Sequence, residues 1–583
     1  MLHCQYVDPG ETRKTIRRAV QDAIRDSPRV LIDTLSGRLC DKAEQAASFE
    51  SLSVFDNLVS SMTTHIDHVR IKHDVTEYYR YGMFSHKWED SEPLFEQVIR
   101  MVVYELEASP TRSKLKMFCK IVQDAGLQWA WSDTCCINTA DHFVIEEALV
   151  AMFKWYQESA LTIVFFFDVL SPSRRGDLMR SIWNTQAWTL QAYNTSKVVR
   201  FYTKDWTPYM NLDIPNHKES PEIISEMEGA MGISAQALMA LRPGLGGIRE
   251  KLCSASTRRT TLVEDAAYFL LGIFSMSLPV AHGEGDQALG RLLAQLLTSS
   301  RDITILAWTG KSGSFNSCLP PDTTVFKQLL PSHIPPMIAS TEMDKIVAKL
   351  RASSLNLTLV MKLHKRLHEL PVASFLGQRM RLPCLTFKLG AVTAIRNAEG
   401  HVFCAQIDTL GIVNIRTEED LSRLNSLFLV HPWLDFLLDR PPVGSVIETI
   451  HEETTDNEPS SLGEPHSFAG PSNTLEAAPK TRMGRFAARV LLPFTGRRAT
   501  RPKEVPSHPS PAPVPLTNKE MGALRAVIRL SQPFGALLLA ENPDEVATYR
   551  RVAAETLITV KLKEITPAVL NTLVSSVRVL EVL

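Results

Sequence analysis

Cysteine, net charge and long apolar runs are all in short supply in this sequence, and each shortage excludes something. The 583 residues hold nine cysteines, scattered along the chain and including the adjacent pair Cys135-Cys136. Nine scattered cysteines make no disulfide framework, and two adjacent thiols form no ordinary Cys-x2-Cys zinc chelate. The reading is reduced, buried thiols in a cytoplasmic protein without a metal site. Lys plus Arg number 63 against 64 Asp plus Glu, a net charge of −1. That balance excludes the basic excess by which a whole chain grips nucleic acid. No stretch approaches the ~20 apolar residues that span a bilayer, and the run Leu161–Phe167 is only of strand length. The opening Met1-Leu2-His3-Cys4-Gln5-Tyr6 lacks a charged segment followed by an apolar one, so no secretory leader is expected.

What is present is an ordinary globular composition, 44% hydrophobic and 22% charged, over a length suited to about three domains. Residues 1–75 read as a mixed cap with a basic helix at 11–26 and a short strand at 29–32. From 76 to 215 short apolar runs alternate with helical stretches. Tyr81–Phe84, Gln128–Trp131 and Leu161–Phe167 read as strands. Ile145, Leu149, Met152 and Tyr156 recur at helical spacing within 142–158. This alternation predicts βαβ units and a parallel, doubly covered sheet. Residues 216–310 read as a helical extension, with helices at 264–274 and 285–299. Residues 311–445 read as a β-rich domain in which Leu357, Leu359, Met361 and Leu363 alternate with polar neighbours, and a hairpin turns at 397–400. Pro and Ser dominate 446–520, which reads as a disordered linker. Within it Arg482–Arg501 concentrates arginines among apolar residues; a solvated charge run is the plain reading, and a weak contact with an anionic membrane surface the other. Strands at 534–540, 556–562 and 577–583 are expected to complete the β-rich domain from the far side of the linker.

Four segments follow one another in a telling order. Phe84-Ser85-His86-Lys87-Trp88 comes first. Trp131-Ser132-Asp133-Thr134-Cys135-Cys136-Ile137 follows, with Glu147-Ala148 and Met152–Tyr156 behind it. Then come Ser181-Ile182-Trp183-Asn184-Thr185-Gln186-Ala187-Trp188-Thr189-Leu190-Gln191, and finally Glu264–Tyr268, Leu271–Phe274, Gly283-Glu284-Gly285 and Ala307-Trp308. Together they resemble the fungal heterokaryon-incompatibility (HET) domain, in wording closest to its basidiomycete branch, over residues 25–310. The resemblance implies an α/β, Rossmannoid fold similar to TIR domains, cytoplasmic placement and a role in fungal self/non-self recognition and programmed cell death. The expected partners are a second copy or another incompatibility protein.

Active TIR domains hydrolyse NAD+, so the resemblance also poses a chemical question. It implies a glutamate four residues beyond the motif tryptophan, where this chain reads Trp188-Thr189-Leu190-Gln191-Ala192. Cleaving the nicotinamide–ribose bond passes through an oxocarbenium-like cation that a carboxylate stabilises. Alanine cannot, and the loss is expected to cost at least about a hundredfold in rate. The motif's Arg and Gly are also replaced, by Gln186 and Ala187. No cofactor is required on this reading, with NAD+ as substrate or ligand. Ser85, His86, Trp88, Asp133, Trp188 and Gln191 are the candidate nucleotide contacts, each with a plainer reading as a packed or capping residue. Glu147 is the best remaining candidate for a catalytic acid, although its helical face reads as solvated.

Overall fold

The computed structural model describes residues 6–232, 234–236, 242–281, 283–327, 357–397, 400–433 and 517–583. Its first sheet comprises β1 (Val30–Asp33), β2 (Leu39–Asp41), β3 (Tyr81–His86), β4 (Trp129–Trp131), β5 (Leu161–Phe165) and β6 (Val199–Tyr202), in the order β2-β1-β4-β3-β5-β6. Only part of it is parallel: β3 pairs in parallel with β4 and β5, and β5 with β6. β1 runs antiparallel to both β4 and β2. The parallel sheet expected of residues 76–215 is present in β3, β4, β5 and β6, and the cap strands β1 and β2 add an antiparallel edge to it. The turn at 34–38 is too short for a crossover helix and returns the chain as a hairpin.

Burial on both faces explains the apolar wording of the central strands. All six residues of β3 are buried, and successive side chains point to opposite faces. Gly82 and Phe84 face the helix Pro110–Asp124, where Phe84 stacks on Phe118 at 4.4 Å. A Cβ on Gly82 would meet Val122 Cγ2 at 2.7 Å, so the helix seats this closely only over glycine. On the other face Tyr81 donates to the Trp155 carbonyl of the helix His142–Glu158. A further helix, Asp265–Phe274, packs against that one, and a Cβ on Gly272 would lie 2.2 Å from Phe153 Cβ. The described residues of 216–310 are mainly helical, as the sequence implies.

A second group of strands follows, and here one expectation fails. Leu357–His368 is an α-helix rather than a strand. Its buried side chains, Val360, Leu363, His364 and Leu367, recur at three- and four-residue spacing, while Lys362, Lys365 and Arg366 take the other side. Of the alternating set Leu357, Leu359, Met361 and Leu363 only Leu363 is buried, and the buried set has the helical period instead. β9 (Val392–Asn397) and β10 (Gly400–Ile407) form the expected hairpin, extended by β11 (Gly411–Arg416); the turn residues 398–399 lie outside the described residues.

The C-terminal strands do return to this part of the chain. β7 (Ser374–Leu376), β8 (Arg379–Lys388) and β12 (Phe428–Pro432) share a sheet with β13 (Phe534–Glu541), β14 (Thr548–Arg551), β15 (Ile558–Val560) and β16 (Val577–Val582). Pairings β8–β12, β12–β13, β13–β14, β14–β16 and β16–β8 close a ring, which leaves those strands no free edge. Most of the proposed linker, with Arg482–Arg501, lies outside the described residues, but a helix already begins at Asn518. Among the described residues no helix is long and apolar enough to cross a membrane.

Candidate functional site

The chain visits β3, then β4 on one side, then crosses back to β5 on the other. That reversal opens a crevice outside the carboxyl ends of β3 and β5, where open α/β sheets take their ligands. The crevice is spanned by Lys87, whose Nζ lies 5.1 Å from the centre of the Phe167 ring. Trp206 lies against Phe165, with ring centres 4.6 Å apart, and against Phe84.

The first motif's residues divide according to strand geometry. Ser85 points to the helical face opposite His86 and accepts a hydrogen bond from Trp183 Nε1 at 3.1 Å, tying the first motif to the third. His86, the last residue of β3, shares its face with Phe84, on which it stacks at 4.2 Å. Its Nε2 lies 3.5 Å from Glu92 Oε1, an ion-pair distance rather than a well-formed hydrogen bond. Lys114, from the helix Pro110–Asp124, reaches the same Glu92 oxygen at 2.5 Å and Glu89 Oε1 at 2.9 Å. The Glu89 backbone N–H also donates to Glu92. His86, Glu92 and Lys114 are all buried. Burial pushes the Glu92 carboxyl up, but His86 and Lys114 outweigh it and hold the group below the ordinary carboxylate range.

Trp88 and Asp133 meet as well. The indole Nε1 of Trp88, itself 44% exposed, donates to Asp133 Oδ2 at 2.8 Å, joining the loop after β3 to the turn after β4. The other oxygen, Oδ1, is buried with no hydrogen-bond partner among the described residues. Burial raises this carboxyl above its usual range, against the pull of His86 and Trp88. A free buried oxygen beside an exposed indole suits a ligand that offers a hydroxyl and a flat ring.

The remaining candidates lie elsewhere. Trp188 packs edge-on against Phe269, and Gln191 Nε2 donates to the Phe269 carbonyl at 2.6 Å, so both join the helix Thr189–Thr195 to Asp265–Phe274. Ala192 is fully buried. Glu147 is half exposed and pairs with Arg29, whose Nη1 lies 3.8 Å from its Oε2. The Cys135 thiol is pushed far up by its hydrogen bond with Cys136 and by burial, which leaves it inert as a nucleophile. Among the described residues no three His, Cys, Asp or Glu side chains could hold a metal ion.

Sequence reasoning passed over Glu92 and Lys114. The signal for Lys114 was present, because it falls on the buried stripe Thr111, Lys114, Leu115, Phe118, Cys119, Val122. A lysine there requires a buried carboxylate. It also passed over Arg258, whose buried guanidinium donates from Nη1 to the Gln186 carbonyl and to Thr189 Oγ1. Its Nε and Nη2 have no acceptor among the described residues.

The family model for heterokaryon incompatibility protein (HET) matches residues 81–218, the stretch in which the first three motif segments lie, so this region is similar to a HET domain. That span opens on the first residue of β3 and takes in the whole parallel part of the sheet. The chain is also 30% identical, over 176 residues, to the vegetative incompatibility protein HET-E-1 of Podospora anserina. The match takes in 29% of this chain and spans 12% of that relative's length. No solved structure matches the chain significantly.

Proposed function

We infer that this chain serves vegetative incompatibility, the recognition of self and non-self between fungal cells that ends in programmed cell death. Its HET domain acts there by binding and association in the cytoplasm, with a second copy or another incompatibility protein, and NAD+ hydrolysis is impaired. The observation that carries the second part is Ala192, fully buried four residues beyond Trp188. A TIR-like hydrolase would need its carboxylate at that position. Glu147 is no substitute in place, since it stands on an exposed helical face beside Arg29. NAD+ remains a ligand on this reading, with Asp133 Oδ1 accepting a ribose hydroxyl and Trp88 offering its ring.

Incubation of the purified full chain with NAD+ tests the reading. No nicotinamide release above the buffer rate is expected. Release that disappears in Glu147→Ala would instead establish an active NAD+ nucleosidase working through that acid. Ala192→Glu adds the missing group: turnover appearing in that variant identifies Ala192 as the defect, and turnover staying at zero passes the defect to Gln186 and Ala187.

A further inference from the structure

A cavity of about 370 Å³ lies on the loop that follows β5, lined by Asp168, Leu170, Pro172, Arg174, Asp177 and Arg180 among others. That volume falls within the ~300–1,000 Å³ typical of small-molecule sites. The loop is irregular, yet it is held firmly. Val169 O accepts from Lys204 N, and Ser171 N donates to Asp205 Oδ2. The buried Tyr209 hydroxyl donates to the Arg174 carbonyl and accepts from Leu178 N, while Glu226 Oε2 accepts from Met179 N. A pinned loop at the carboxyl end of a central parallel strand is where a rigid scaffold presents binding groups.

The charges around the cavity are unequally committed. Both oxygens of Asp168 are occupied, Oδ1 by Ser181 Oγ at 2.8 Å and Oδ2 by Ile182 N at 2.7 Å. Asp177 is occupied likewise, Oδ1 by Arg180 Nη2 and Oδ2 by Arg174 N, each at 2.7 Å. The guanidinium of Arg174 is exposed and has no partner among the described residues. The two aspartates and two arginines of the lining balance in charge, but both carboxylates have their oxygens occupied from within the loop, so the unused hydrogen-bonding groups are those of Arg174, beside an apolar lining of Val169, Leu170 and Pro172.

We propose that this cavity binds a small organic oxyanion, a phosphate or carboxylate on a compact apolar body, with Arg174 as the recognising group and Arg180 beside it. A guanidinium gripping an oxyanion makes charge-assisted, often paired hydrogen bonds, and the apolar lining covers the remainder of the ligand. The cavity's loop follows β5, whereas Trp88 follows β3 and Asp133 follows β4, and the proposal does not depend on NAD+ being bound at those two residues.

Phenyl phosphate, benzoate and phenol serve as probes, titrated into the full chain and followed by ligand-observed NMR. Saturable binding of phenyl phosphate or benzoate, with none of phenol, is expected, and the stronger of the two names the anion. Arg174→Gln should weaken that binding about tenfold or more without shifting the melting temperature, because the side chain is exposed. Arg175→Gln, whose arginine does not line the cavity, should leave it unchanged. The proposal is overturned if neither anion binds, if phenol binds equally well, if Arg174→Gln binds as the native chain does, or if Arg175→Gln loses as much.

Discussion

Lys114 and Arg258 are both buried cations packed around the first sheet, and they are held in opposite ways. Lys114 sits between Glu89 and Glu92, with His86 close to the second carboxylate. Arg258 has two neutral acceptors, Gln186 O and Thr189 Oγ1, and burial alone pushes its guanidinium down to about 9. A buried charge inside a completed set of partners is a fixture of the fold. A buried charge without an anion marks a place where the fold carries a cost that a carboxylate nearby would relieve. The first cluster lies at the end of β3 within the matched HET span, and the second faces the segment 186–192, which holds Ala192.

Lys114→Met offers the sharpest break. It leaves Glu92 buried with only His86 and the Glu89 N–H as polar neighbours, and removing one partner of a buried pair typically costs about 3–5 kcal/mol. Denaturant unfolding of the variant against the native chain measures this. A loss below about 1 kcal/mol would show that the cluster is hydrated in solution and that the contrast with Arg258 is false.

His217 shows a third way to bury a titratable group, which is to keep it neutral. Its Nδ1 accepts from the Phe201 backbone N–H at 3.0 Å, and Nε2 lies 3.1 Å from the Leu212 carbonyl. That leaves no room for a second proton, and burial lowers its pKa to about 4. The unfolded chain binds a proton near pH 6.5 and the folded chain only near 4. The stabilisation is therefore complete above pH 6.5 and is lost as the pH falls from there to 4. The drop is about 3 kcal/mol from this group. His217→Gln retains an acceptor and a donor without titrating. Its melting temperature should fall less steeply than the native chain's between pH 7 and pH 4.5, and parallel slopes would remove His217 from the account.

The difference between these groups also explains what was legible beforehand. β3, β4 and β5 are short apolar runs ending in Ser-His, Ser-Asp and Phe-Phe wording, and a strand buried on both faces leaves little ambiguity. The helix 142–158 announced itself by its spacing. Ser85, His86, Trp88 and Asp133 were legible as motif residues, and strand alternation then sends Ser85 to one face and His86 to the other. The grouping of His86 with Glu92 and Lys114 was not legible. It depends on which face of β3 the helix 110–124 covers, and no local pattern states that. The direction of Trp188 and Gln191 was hidden for the same reason, since their partner Phe269 lies on a helix far along the chain. Leu357–His368 also carries Leu359, Leu363 and Leu367 at helical spacing, so the two-residue alternation of its first half does not by itself make a strand, and packing buries the helical set Val360, Leu363, His364 and Leu367.

The smallest effect tests the unpaired half of the contrast. Arg258→Met removes a desolvated charge along with two hydrogen bonds to neutral acceptors. An apolar side chain of similar length should leave stability within about 1 kcal/mol of the native chain, far from the loss at Lys114. Ala192 sits three residues beyond Thr189, which holds Arg258, and positions three apart share a helical face. A carboxylate in Ala192→Glu is therefore expected to reach toward the Arg258 guanidinium. Alone it should destabilise the chain, since the site is fully packed, but it should destabilise the Arg258→Met background more. A double-mutant cycle by denaturant unfolding should return a coupling of about 1–3 kcal/mol in favour of the pair. Additive losses would separate position 192 from Arg258. Coupling would place the Arg258 guanidinium within reach of an acid at position 192.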